Sequence, residues 1–325
     1  MKILRVGDLH IKPSNIKESE ILLGFIVKTA IERKVARVEF EGDIADTHSV
    51  VRLEVLEFWD RWFRKLSEQP FDTVVLAGNH DMTGSYSNSY SFLHPFKTNR
   101  DITFVTEPMS EGIYGYLPYI HDDAEFIKEA NKLADLGVTV LTSHPNFVGA
   151  TYDNGMPINN GVDPDLIDSR IKHLIGGHIH TENAYGRVWY IGTPRWFTKS
   201  CANKKKGIWL CEHDDSGTMT SKEFISTESV CTPIVSISWK EGEAKPEIPS
   251  GAKVDVELVG SSDWVSKTKK ELAGLASVSS KITDTKKSRE RKSGNSLHEF
   301  LSQYYPADAS KRQKLISYLG DLKLV

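Results

Sequence analysis

The chain has 325 residues, 39% hydrophobic and 26% charged, with a formal net charge of −3. This composition supports a buried core and excludes wholesale disorder, and it gives the chain as a whole no general attraction for a polyanion. No apolar run approaches the ~20 residues that cross a bilayer. The N-terminal residues show no cleavable signal pattern, and Cys201, Cys211 and Cys231 lack metal-type spacing. These features predict a cytoplasmic, reducing setting with no disulfide framework and no membrane partner.

Up to residue 233, short β-type runs alternate with amphipathic helical stretches. Residues 3–7 read as a strand, and residues 16–34 place Ile16, Ile21, Leu22, Phe25, Ile26 and Ala30 on one helical face. Residues 37–40 form a second apolar run. Residues 50–66 then carry Val51, Val55, Phe58, Trp59, Trp62 and Leu66 at helical spacing, a stripe that reads as core packing before it reads as a binding platform. Residues 73–77, 138–142, 174–176, 188–191 and 208–210 continue the strand series. Strands alternating with helices predict a layered α/β architecture for residues 1–233.

The character changes after residue 233. A polar, proline-containing connector (241–251), an alternating strand (254–259) and a helical stretch (262–275) predict a small α/β capping unit over 234–283. Residues 284–296 read as a basic linker. Residues 297–325 read as a helical tail, its apolar positions either packing back on the body or docking on a partner.

Five polar motifs each follow an apolar run: Asp8-Leu9-His10, Gly42-Asp43-Ile44-Ala45-Asp46, Gly78-Asn79-His80-Asp81, Ser143-His144-Pro145 and Gly177-His178-Ile179-His180. In open α/β sheets, ligands bind beyond the carboxyl ends of strands, so these five loops can converge on one crevice. Each motif alone is weak, since Asp-x-His or Gly-Asp-x-x-Asp often marks nothing more than a turn. Together they offer carboxylate, imidazole and amide donors without thiolate, a set suited to divalent ions such as Mn²⁺, Fe²⁺ or Zn²⁺. Asp8, His10, Asp43, Asn79, His144, His178 and His180 are too many ligands for one ion but suit two, the arrangement that serves in-line phosphoryl displacement.

The ordered set resembles the calcineurin-like metallophosphoesterase superfamily over roughly residues 1–200. The resemblance implies an α-β-β-α sandwich and two divalent ions, Mn²⁺ first, with Mg²⁺, Fe²⁺ or Zn²⁺ as alternatives. It also implies that Asp8, His10, Asp43 and His180 hold one ion, that Asp43 bridges to a second, and that Asn79, His144 and His178 complete the second site. His80 then resembles the family's proton donor to the leaving oxygen, with Asp46 orienting it. The protein phosphatases of this superfamily carry an arginine just after the second motif and end the third in Glu. This chain has Asp46-Thr47-His48-Ser49 and Asp81, which look more like the SbcD-type DNA nuclease subunits, as does Ile191-Gly192-Thr193-Pro194-Arg195.

That closer resemblance implies a compact, bacteriophage-like 3′–5′ exonuclease and endonuclease subunit acting in DNA repair and recombination. It would work as a homodimer with a coiled-coil ATPase partner of the SbcC type. Arg195, Lys204, Lys205, Lys206 and the basic run 286–292 are the candidate DNA contacts, though a lysine run reads equally as a solvated loop. Tyr86, Tyr90 and Phe92 either stack on strand ends or tuck their loop against the surface. The alternative reading is a small-molecule phosphodiesterase or phosphatase of the same fold.

Overall fold

The computed structural model describes residues 1–46, 50–84 and 90–283. His48, Tyr86, the basic run 286–292, the linker 284–296 and the tail 297–325 lie outside the described residues. In chain order the elements are β1 (Lys2–Val6), α1 (Ile16–Glu32), β2 (Arg37–Phe40), α2 (Leu53–Ser67), β3 (Asp72–Leu76), β4 (Ile102–Val105), β5 (Met109–Glu111), β6 (Tyr114–Leu117), α3 (Asp123–Asp135), β7 (Val140–Ser143), β8 (His173–Gly176), β9 (Asn183–Tyr185), β10 (Val188–Tyr190), β11 (Gly207–His213), β12 (Met219–Ser226), β13 (Ile234–Lys240), β14 (Lys253–Gly260), α4 (Ser262–Glu271) and β15 (Ser277–Ile282). The chain divides into two compact units. One comprises Met1–Ile237, Glu247–Val256 and Leu275–Ser277; the other comprises Ser238–Pro246, Glu257–Gly274 and the described residues from Val278.

The first unit holds two six-stranded mixed sheets, ordered β12-β11-β1-β2-β3-β4 and β5-β6-β7-β8-β10-β9. Within the first, β1, β2, β3 and β4 run parallel, as do β6, β7, β8 and β10 within the second. Side chains alternate across each strand, so a central strand such as β1 feeds two different cores. In β1, Leu4 and Val6 face α1 and α2, where they pack with Leu22, Ile26, Trp59 and Phe63. Ile3, on the opposite face, joins Val74, Leu76, Val140, Ile175, Trp189 and Trp209 between the sheets. Leu141, Leu174 and Tyr190 complete a third core with Phe126 and Leu133 of α3. Three cores separated by two sheets give the α-β-β-α sandwich, a mixed α/β fold.

The layer between the sheets is partly polar. Arg5 is fully buried and its NH1 donates to Glu39 (2.7 Å), Glu41 (2.8 Å) and Thr142 (3.0 Å). Tyr116 donates to Glu39 (2.6 Å) and accepts from Arg37 (2.8 Å), whose other terminal nitrogen meets Glu111 (2.7 Å) at the surface. Burying such charges is tolerated only because they are paired.

Particular residues depart from the periodic reading. Ile21, expected on the inner face of α1, is 57% exposed. Val51 is exposed because α2 begins only at Leu53, which leaves it outside the helix. Spacing alone also passes over α3, capped by the Asp122 side chain accepting from Glu125 N at 2.8 Å.

β13, β14 and β15 form a separate three-stranded sheet in that order. β14 alternates as expected, burying Val254, Val256 and Leu258. Ser261 caps α4, accepting from Trp264 N. Among the described residues no helix is long and apolar enough to cross a membrane.

Candidate metal centre

Each of the five motifs begins where a parallel strand ends, after β1, β2, β3, β7 and β8. The loops are laced together by backbone bonds. His10 N donates to Asp43 O (2.9 Å), Ile11 N to Ile44 O (3.1 Å) and Asp46 N to Ile11 O (3.0 Å). The buried Asp81 carboxylate accepts from Gly78 N (2.9 Å), Ala45 N (3.0 Å) and Ile44 N (3.3 Å), tying the third loop to the second. The carboxylates are aimed by main chain as well: His80 N donates to Asp43 Oδ1 (2.8 Å) and His178 N to Asp8 Oδ1 (3.0 Å).

This convergence needs unusual backbone. His10, Asp43 and His178 have φ of 42°, 48° and 79°, in the left-handed region that side chains avoid. Each such residue costs about 1–3 kcal/mol and persists only where its surroundings over-determine it. Gly177 is required by space, since a Cβ there would stand 2.6 Å from His144 Nδ1 and collide with Glu41 O.

The Asp43 carboxylate sits at the middle of the cluster. Its Oδ2 lies 3.1 Å from His144 Nε2, 3.7 Å from His10 Nε2 and 4.0 Å from His80 Nε2. His178 Nδ1 is 3.0 Å from Asn79 Oδ1, and the Nε2 atoms of His10 and His180 face each other at 3.1 Å. His80 Nδ1 lies 3.1 Å from Asp46 Oδ1, while Asp46 Oδ2 accepts from Lys12 Nζ (2.8 Å). Phe197 packs its ring edgewise against His10 at 4.9 Å and at a tilt against His180 at 5.4 Å.

The calcineurin-like phosphoesterase family model matches residues 1–182, a span that covers more than half the chain and contains all five motifs. The chain belongs to the calcineurin-like phosphoesterase family. No curated protein matches it. As a family member it is a metal-dependent phosphoester hydrolase.

The electrostatics suit divalent cations. Burial lifts Asp8 to about 6 and holds His10 and His178 down at about 3. At Asp43 burial acts upward, but His144, His10 and His80 outweigh it and keep the carboxylate ionised. Burial acts downward on His144, yet Asp43 and Asp8 push it up to about 10. Buried carboxylates packed among imidazoles that resist or compete for protons call for further positive charge.

Two features fit the family's ions to these residues. Among the described residues His144 Nε2 is buried without an aligned hydrogen-bond partner, although it points at Asp43. The opposed Nε2 atoms of His10 and His180 can hold one proton between them, and an ion taking its place would use both lone pairs. Among the described residues, ligand atoms cluster in three groups: His10, Asp46 and His80; Asp43, His144 and His178; and Asp153, His180 and Cys201. The donors around Asp43 are oxygen and nitrogen, which suits a borderline or hard divalent ion.

The expected DNA contacts do not share one environment. Arg195 and Lys206 are each 1% exposed. Arg195 is paired with Glu18 (3.2 Å) and Ser19 (3.0 Å), and Lys206 Nζ donates to His180 O and Thr193 Oγ1. Both side chains are thus engaged within the fold, Arg195 against α1 and Lys206 against the segment that carries His180. Lys204 is partly buried and donates to Thr181 Oγ1 (3.0 Å), and Lys205 is exposed. Phe92 belongs to the core, and Tyr90, which is exposed, stacks on His94 at 4.3 Å. Sequence reasoning missed Asp153, Phe197 and the Glu41 carbonyl that holds His144 Nδ1 at 2.7 Å.

Proposed function

We propose that the chain is a two-metal DNA phosphodiesterase, a 3′–5′ exonuclease and endonuclease subunit of an SbcCD-like repair complex. Asp8, His10, Asp43 and His180 hold one ion in this reading, and Asn79, His144 and His178 hold the other, with Asp43 between them. When bound, such ions supply Lewis-acid activation and neutralise charge developing on the phosphate. His80 supplies the proton. Burial tends to lower its basicity, but the Asp46 hydrogen bond and the charges of Asp43, Asp46 and Asp81 outweigh this and raise it. With Nδ1 held by Asp46, Nε2 is the nitrogen that donates to the departing oxygen in this reading, a contribution typically worth about 10²–10⁴ in rate.

The observation that carries the reading is the Asp46–His80 pair. Its side chains are about a quarter exposed on the open side of the cluster, where a large substrate can reach them. Just after the second motif, where the phosphatase branch places arginine, the sequence has Thr47, and Asp81 replaces that branch's glutamate. The exposed apolar residues Val50, Val51 and Leu53 beside α2 support a homodimer surface. The tail 297–325 is the proposed dock for a coiled-coil ATPase, and Lys205 a proposed phosphate contact.

The test is cleavage of end-labelled DNA by the purified chain with Mn²⁺, with and without chelator. Metal-dependent shortening from 3′ ends is expected. Robust activity on phosphomonoesters or cyclic nucleotides with none on DNA would sink the nuclease reading and favour a small-molecule hydrolase.

A further inference from the structure

A metal-binding imidazole needs its second nitrogen fixed, because a neutral ring carries one proton and the protonated nitrogen cannot bind the ion. His180 shows such an arrangement. Its Nε2 faces His10 inside the cluster, and its Nδ1 faces Asp153 Oδ2 at 3.4 Å on the outside. Asp153 is itself built in: Thr181 Oγ1 donates to its Oδ1 at 2.6 Å, and Lys204 Nζ donates to its backbone carbonyl. Lys206 and Thr193 N bond to the His180 carbonyl, fixing the main chain that carries the ring. Asp153 stands in a small hairpin in which Thr151 pairs with Pro157 and Tyr152 N donates to Met156 O (2.8 Å).

From this geometry we infer that Asp153 is a positioning residue for His180, holding its proton on Nδ1 and presenting the Nε2 lone pair to the ion. Lys204 and Lys206 serve the same support, clamping the hairpin and the strand end. Carboxylate partners of this kind typically change metal affinity by about 10–100-fold. Cys201 completes a ligand-like trio with Asp153 and His180. A third ion there would need the Nδ1 lone pair, and therefore a doubly deprotonated ring, so the trio is better read as support.

The inference rests on His180 being a ligand, and the experiment separates the two claims. Metal-free protein is titrated with Mn²⁺, and free ion is followed by its paramagnetic resonance signal. In Asp153→Ala, one of two equivalents should bind about 10–100-fold more weakly. Asp153→Asn, which keeps an acceptor without the charge, should fall between, and the thermal midpoint of the metal-free protein should not move. If His180→Ala loses one equivalent while both Asp153 variants bind as wild type, the positioning role is overturned. If His180→Ala changes neither equivalent, the ligand assignment itself fails. Equal weakening of both equivalents, or a third equivalent lost in Cys201→Ser, would also overturn the inference.

Discussion

The histidines His144 and His180 face the same cluster from two kinds of ground. His144 is fully buried, its Nδ1 held by the main-chain carbonyl of Glu41, whose carboxylate is fixed in turn by Arg5 between the sheets. His180 is partly exposed and faces a carboxylate on a hairpin, with lysines bracing it from a neighbouring segment. A backbone acceptor inside a packed layer cannot be removed by mutating one side chain. A side-chain acceptor on a loop can. The buried half is therefore expected to be rigid and coupled to folding, and the open half adjustable and coupled to metal affinity.

The largest effect should come from removing what both halves share. Asp43 Oδ2 lies close to His144, His10 and His80 alike. Asp43→Ala is expected to abolish binding of both ions and all measurable hydrolysis. An inductively coupled plasma measurement on the loaded protein should find no metal above background. Retention of one full equivalent would show that the halves do not meet at Asp43.

Arg5→Met breaks the buried half from a distance. The methionine removes the charge partner of Glu39 and Glu41, both of which are buried. Burial already pushes Glu41 up to about 7 despite Arg5. Breaking a buried pair by deleting one member typically costs about 3–5 kcal/mol. Urea unfolding should show that loss in the metal-free protein. Asp153→Ala, in the open half, should show none, and equal losses in the two variants would dissolve the contrast.

How much of this was legible in the sequence follows the same division. The five motifs were readable because polar clusters after apolar runs are costly without a role, and the order of donors narrows the chemistry. Arg5 was not, since a single charge within Ile3-Leu4-Arg5-Val6 reads as an outward position until a second sheet covers it. Lys206 misled in the opposite direction: a lysine run looks solvated, yet its last member is buried against His180. Asp153 sits in Tyr152-Asp153-Asn154-Gly155, which any tight turn could carry. What the sequence hides is the contact between segments far apart in the chain, and both supporting shells are made of such contacts.

His80 tests whether proton delivery can be separated from metal binding at the open rim. His80→Asn removes the titrating ring while Asp46 keeps Lys12 as a partner. The rate should fall about 10²–10⁴-fold with both metal equivalents retained. Loss of an equivalent would make His80 a ligand, in line with its grouping beside His10 and Asp46.

The smallest effect should appear at the far end of the buried layer. His213 is 3% exposed, and among the described residues neither ring nitrogen has a hydrogen-bond partner. Burial first, then the charge of Arg5 and the nearby His173, hold its pKa at about 3. An unfolded chain protonates this histidine near 6.5, so between about 6.5 and 3 the unfolded state carries a proton that the folded state refuses. Stability should therefore fall as pH drops through that window, and His213 should contribute no slope above it. His213→Leu, which replaces an unsatisfied polar ring with an apolar side chain, should flatten the slope by up to one proton per molecule. The measurement is the difference in urea midpoint between wild type and variant at steps from pH 7 to pH 4. Parallel curves would mean that the ring finds water or a partner, and that this end of the intersheet layer is less dry than the ground beneath His144.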